Sequence, residues 1–156
     1  ICFRAKESYP FLGSPENPTY FPKADNVGMR AITVFKIPRT GFYDFRILSD
    51  DGLRFYYQPV SANIILNEKN ARSQWIKIID QWVTQAENWK LSKKIYFNQN
   101  DLILLRMDYY ERGIFATACI KIRYYLNNDQ VEESDLPFQN TFCSLLWADV
   151  PLLGVP

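Results

Sequence analysis

The sequence predicts an all-β domain, an antiparallel β-sandwich, on three observations. Apolar side chains recur at every second position in three separate runs: Tyr43, Phe45 and Ile47; Ile103, Leu105, Met107 and Tyr109; and Ala116, Ala118, Ile120, Ile122 and Tyr124. A period of two sends one set of side chains to a buried face and the other outward, as in half-buried antiparallel strands. Turn-forming clusters bound the runs, among them Asp50-Asp51-Gly52 and Asn98-Gln99-Asn100-Asp101. At 156 residues, 47 % hydrophobic and 16 % aromatic, the chain has the size of one domain, burying roughly 68–70 % of its unfolded surface. Tyr43, Phe45, Ile47, Ile103, Leu105, Ile120 and Ile122 are the expected core.

Residues 1–26 carry Pro10, Pro15, Pro18 and Pro22 with Gly13. Proline cannot donate to a sheet ladder, so this is loop and short edge-strand material, pinned by Phe3, Tyr9, Phe11, Tyr20 and Phe21. Met29 to Pro38 reads as a strand leading into Gly41. Two β-rich runs then flank Asp50-Asp51-Gly52, where glycine accepts φ > 0 and aspartate bonds nearby amides, and the pair is read as a hairpin. Gln58 to Gln74, with Asn63, Asn67, Glu68, Lys69, Asn70 and Arg72, has the composition of a surface excursion. Trp75, Ile78, Ile79, Trp82, Ala86 and Trp89 fall at helical spacing, so periodicity alone reads that stretch as an amphipathic helix. Lys94 to Phe97 is a short strand. Leu102–Tyr109 and Ala116–Tyr125 are expected to be hairpin partners joined through Glu111-Arg112-Gly113. Leu126 to Gln139 reads as a surface return loop. The tail from Phe142 is apolar and either adds an edge strand or docks on another chain.

Four segments in order carry a family resemblance: Gly41 through Ser49-Asp50-Asp51-Gly52-Leu53, Ile79-Asp80-Gln81-Trp82, Tyr109-Tyr110-Glu111-Arg112-Gly113, and the strand Ala116 to Tyr125. Together they resemble the PA14 domain family, named from anthrax protective antigen and found in fungal flocculins, adhesins and some glycosidases. The resemblance implies a PA14-type β-sandwich over residues 27–140, with 1–26 as a Pro-rich segment packed on it and 141–156 as an apolar tail. It makes Ile76 to Asp80 a strand, with room for a helical turn after Trp82. Gln58 to Gln74 then stands as an insertion after the Asp-Asp-Gly hairpin.

Calcium-dependent lectin members of the family bind the ion through two successive aspartates joined by a cis peptide, with a third side chain from a later turn. Carried over, this makes Asp50, Asp51 and Glu111 the metal ligands of a Ca²⁺ site. Asp50, Asp51, Trp82 and Arg112 become the ligand-binding set. Glutamate departs from the asparagine usual at the third position. From the residues alone, adjacent carboxylates on a turn suit a hard cation, and they equally suit a plain turn whose aspartates bond backbone amides. The tryptophans offer stacking faces for a sugar, and their spacing also suits a core.

The chain has no histidine, which excludes Ser-His-Asp and Cys-His catalysis and imidazole-bound metals, leaving oxygen ligands for any ion. Net charge is +1 with no basic block, so no nucleic-acid partner is expected. No apolar run approaches the roughly 18–20 residues of a membrane span. The first residue is Ile1, as expected of a processed or excised piece of a longer chain or assembly. Cys2 and Cys143 could join the ends as a disulfide, or Cys2, Cys119 and Cys143 could all stay reduced. Asp50 and Asp51 are neighbours on a turn, unlike the two acids of a glycosidase held roughly 5–9.5 Å apart across a cleft, so no enzyme is expected. The primary reading is a surface module for carbohydrate recognition or adhesion, extracellular or on a cell or virus-particle surface, with glycans or neighbouring subunits as partners. The alternative is a structural module of an envelope or viral particle with neither metal nor sugar.

Overall fold

A computed structural model describes residues 2–6, 27–60, 75–112, 115–127, 129–135 and 143–149. Every regular element in these segments is a strand: β1 Cys2–Lys6, β2 Val27–Lys36, β3 Gly41–Ser49, β4 Leu53–Pro59, β5 Ile76–Gln81, β6 Asn88–Leu91, β7 Ile95–Phe97, β8 Leu102–Glu111, β9 Phe115–Leu126, β10 Asp129–Asp135 and β11 Cys143–Asp149. They form two antiparallel sheets. In the first, β9 has β1 and β10 end to end on one side and β3 on the other. The far edge of β3 takes β7 at Gly41–Tyr43 and β6 at Arg46–Ser49. Ser92 bridges the gap between those two short strands, its amide donating to the Phe45 carbonyl and its Oγ accepting from the Phe45 amide, both at 2.9 Å. The second sheet runs β11-β2-β8-β4-β5.

Period-2 alternation builds the core between them. Tyr43, Phe45, Ile47, Ile120 and Ile122 from the first sheet meet Phe35, Leu53, Phe55, Ile103, Leu105, Met107 and Tyr109 from the second, all buried. Phe45 and Phe55 cross edge-on with centroids 5.2 Å apart, joining the two faces. All seven residues expected in the core are buried.

The connections differ from the sequence reading. β3 lies in the first sheet and β4 in the second, so Asp50-Asp51-Gly52 is a corner between sheets and not a hairpin. β8 and β9 are likewise in different sheets. Alternation fixes which face of a strand is buried, but not which neighbour it pairs with. Leu126 to Gln139 is not simply a return loop, because β10 pairs with β9. Its acidic residues lie against cations, Glu132 on Arg39 at 2.9 Å and Glu133 on Lys121 at 3.4 Å.

Ile76–Gln81 is the strand the resemblance implies, and the following residues bend without any helical turn. Gln58 and Pro59 still belong to β4, with Gln58 buried; residues 61–74 of the expected insertion lie outside the described residues. The tail contributes β11, an edge strand on β2. Cys119 is disulfide-bonded. With three cysteines in the chain, that excludes both the Cys2–Cys143 bridge and the all-reduced state. Cys2 is the residue opposite Cys119 in the β1–β9 ladder.

Candidate functional site: the Asp50–Asp51 corner

Four elements meet where β3 crosses to the other sheet. The Asp50 amide donates to the Thr117 carbonyl of β9 at 2.9 Å, and the Gly52 carbonyl accepts from the Tyr110 amide of β8 at 2.9 Å. The chain is thus fastened to one sheet before the corner and to the other after it. Asp51 sits between in the left-handed region, φ 58°, a conformation that aspartate tolerates better than most residues. Its amide donates to the Gln85 carbonyl at 2.9 Å.

The Asp51 side chain is buried and holds two further segments. Oδ1 accepts from the Gln85 amide at 3.2 Å and Oδ2 from the Arg112 amide at 2.6 Å. One carboxylate therefore ties the β5–β6 loop and the end of β8 to the corner. Charge-assisted bonds of this kind are about twice as strong as neutral ones. Asp50 is only partly covered. Its carboxyl is held above the usual aspartate range, first by burial and then by the neighbouring Asp51 charge. Glu87 adds to the same repulsion.

Glu111 lies beneath the corner, 1 % exposed, and its Oε2 accepts from the Tyr109 hydroxyl at 2.7 Å. Burial, then the field of Glu111, pushes the Tyr109 phenol far up, and Asp50 and Asp51 act in the same direction. The acidic side chains are thus close enough to influence one phenol. Even so, among the described residues no group of three or more histidine, cysteine or acidic side chains is arranged to hold a metal ion. The Asp50–Asp51 peptide is trans, and no cis peptide occurs in the described residues, so that element of the family's calcium geometry is absent from this corner.

Trp82 belongs to the wall of this corner. It is 6 % exposed, crosses Tyr110 edge-on at 4.7 Å and carries the Arg54 guanidinium 4.6 Å from its ring centre. It packs as core, not as an open stacking face. Trp89 and Trp75 are partly exposed and hold guanidinium groups, from Arg46 at 4.2 Å and Arg106 at 5.8 Å. Arg112 reaches the corner through its backbone amide, and its side chain is exposed. Sequence reasoning missed Gln85 and Tyr110. Gln85 meets Asp51 across 34 positions, and no local pattern marks it.

The sequence matches the PA14 domain family over residues 3–140. Two solved structures share the architecture, both of the epithelial adhesin 9 A domain from Candida glabrata. The complex with Galβ1-4GlcNAc is 18 % identical with a TM-score of 0.56, over 90 % of this chain and 65 % of that one. The complex with Galβ1-3GlcNAc is 20 % identical with a TM-score of 0.57, over 93 % of this chain and 67 % of that one. At these identities the likeness establishes the fold, and the chain spans about two thirds of the adhesin domain's length. No curated protein matches the sequence.

Proposed function

Since the chain belongs to the PA14 domain family, we propose that it is a non-catalytic carbohydrate-recognition module working at an extracellular or cell surface. The observation that carries this reading is the division of labour at the corner. Asp51 is buried and spent on fixing three segments of backbone, while Asp50 beside it stays partly open to solvent. A rigid turn presenting one accessible carboxylate is a binding geometry. It lacks the separated acid and base that glycoside hydrolysis needs. The adhesin domains of the same fold, solved with galactosides bound, support a glycan as the ligand.

Calcium is the finer part of the proposal. Asp50 and Asp51 would hold the ion, which supplies a hard Lewis-acid centre able to accept sugar hydroxyls. The charge balance suits it. No cation among the described residues forms an ion pair with Asp51, and the Asp51 charge, which after burial raises the Asp50 carboxyl, is one that a divalent ion would offset. Glu111 suits it less well, because to serve as a ligand it has to share or release the Tyr109 hydroxyl.

The test is calorimetric titration with Galβ1-4GlcNAc and Galβ1-3GlcNAc, in millimolar Ca²⁺ and again in chelator. Asp50→Asn is the informative variant, because Asp51→Asn also breaks the backbone clamps. The expected result is sugar binding that disappears with chelator and in Asp50→Asn. Calcium at a hundredfold excess over Kd should stabilise the wild type by about 2.7 kcal/mol. Binding that ignores chelator would remove the ion. No binding of either disaccharide, nor of any glycan on an array, would remove the carbohydrate reading and leave a structural module in its place.

A further inference from the structure

The end of the sandwich opposite the Asp50–Asp51 corner is unlike a solvated rim. The described residues include seven exposed large hydrophobics, and five of them lie at this end: Phe42, Ile76, Tyr96, Leu102 and Leu126, between 39 % and 55 % exposed. The registers put them together. Phe42 and Tyr96 face each other across β3 and β7, Leu126 ends β9 beside them, Leu102 begins β8 opposite Lys36, and Ile76 begins β5 opposite Tyr57. Phe42 and Tyr96 are already locked edge-to-face at 5.2 Å, so they present contact area that loses little freedom on docking.

Two recesses open at the same end. One, of about 270 Å³, has Phe35, Tyr43 and Ile122 in its wall. The other, of about 250 Å³, is lined by Tyr57, Phe97 and Ile103. The buried Tyr43–Phe97 pair, 6.0 Å between centroids, stands between them. Apolar knobs beside apolar recesses on one surface can interlock with a rotated copy of themselves. The charged groups at the recesses agree with that. Lys36 lines one and Asp101 the other, one cation and one carboxylate, while Arg39 and Glu132 at the first already neutralise each other in an ion pair at 2.9 Å. A balanced rim complements itself across a twofold axis, whereas a rim of one sign repels its own copy.

We propose that this end is a self-association surface, and that its occupant is a second copy of the same chain, docked end to end about a twofold axis. Such a dimer points its two Asp50–Asp51 corners away from each other, at opposite poles. Sites facing opposite ways cannot both engage one flat surface, so such a dimer would bridge two ligand-bearing surfaces and not gain avidity for one. The dimer itself does not depend on what the corners bind.

Sedimentation of the 156-residue chain across concentration tests this directly. The wild type should move from monomer to dimer as concentration rises into the tens to hundreds of micromolar. Tyr96→Glu with Leu126→Glu should remain monomeric and folded, with a melting temperature lowered only by loss of the Phe42–Tyr96 contact, because both side chains are largely exposed in the monomer. Leu91→Glu removes an equally exposed apolar group from the edge strand β6, away from this end, and should dimerise like the wild type. A wild type that is monomeric at 500 µM would overturn the proposal. So would a dimer that survives the double variant, or one that Leu91→Glu breaks equally.

Discussion

Replacing Gly52 by alanine should be among the most damaging single-methyl changes available to this protein. A Cβ built at Gly52 falls 1.8 Å from Cε1 of Tyr110, 2.5 Å from Cδ1 and 2.6 Å from Cζ. The nearest of these is about 1.6 Å short of the 3.4 Å at which ordinary van der Waals contact begins. The ring has little room to retreat, being fully buried, with Trp82 crossing it at 4.7 Å and its hydroxyl 3.4 Å from Thr84 Oγ1. The backbone cannot simply part either, because the Tyr110 amide donates to the Gly52 carbonyl.

Overpacking a core by a methylene costs about 1–3 kcal/mol when neighbours can give. A caged ring puts this site at the upper end, about 3 kcal/mol. At about 2–4 °C per kcal/mol for a chain of this size, the melting temperature should fall by roughly 6–12 °C. Urea unfolding followed by tryptophan fluorescence measures it, and Trp82 reports from the strained contact itself. Shrinking the ring should restore part of the loss. Tyr110→Ala is destabilising alone, yet with Gly52→Ala the double variant should be more stable than the two costs added, by about 0.5–3 kcal/mol of coupling. A Gly52→Ala loss below about 1 kcal/mol, or strict additivity with Tyr110→Ala, would show that the corner yields and that glycine is not required there.

Arg123→Met should cost about 3–5 kcal/mol, because it leaves the Asp44 carboxylate, 2 % exposed, without the paired bonds at 2.7 and 2.8 Å that compensate its burial. Asp44→Leu with Arg123→Met should recover much of that in the same urea titration, since an apolar pair needs no compensation; equal losses in the single and double variants would refute the ion-pair account. The acid limb of the stability curve should depend on Asp108. Burial alone would raise its carboxyl, but the bonds from Arg106 and Arg30 outweigh burial and hold it below the ordinary 3.8. A group lowered in the folded state contributes stability that is full above its unfolded value and drains away as pH falls through the folded one, so the loss should begin near pH 3.8 and deepen below it. Asp50, raised by burial and by Asp51, works in the opposite sense, its penalty being full at neutral pH and relieved as pH falls through its raised value to the ordinary 3.8. Melting curves from pH 6 to pH 2 should therefore lose their steep acid limb in Asp108→Asn and keep it in Asp50→Asn; an acid limb unchanged in Asp108→Asn would place the titration elsewhere.

Much of the core was legible because burial in a strand repeats every second residue. That repeat needs no knowledge of neighbours, and Phe45, Ile47, Ile103 and Ile120 fell where it put them. Strand partners were not legible for the same reason. The alternation in β3 is identical whether its continuation β4 folds back beside it or crosses to the opposite sheet. Asp-Gly announces a change of direction, and both outcomes require one. β10 was missed because it has no apolar alternation of its own. Its acidic residues are matched to cations that no apolar pattern reveals, Glu132 to the sequence-distant Arg39 and Glu133 to Lys121 on the adjoining strand β9.

The corner shows the same limit at the level of chemistry. An Asp-Asp-Gly turn is written identically whether its carboxylates serve an ion or the backbone. The deciding partners of Asp51 are amides 34 and 61 positions away. Those bonds divide the aspartate pair into a fixed member and an accessible one, a division that no count of ligand types in the sequence reveals. It follows that the two residues should respond differently to substitution. Loss of charge at Asp51 unfastens Gln85 and Arg112 and is felt as stability. Loss of charge at Asp50 removes a repulsion within the folded corner and is felt chiefly as binding. The difference is read in chelator, where equal stability losses in Asp50→Asn and Asp51→Asn would show that the Gln85 and Arg112 clamps carry no weight; with calcium present both substitutions should weaken ion binding, as a shared ion requires.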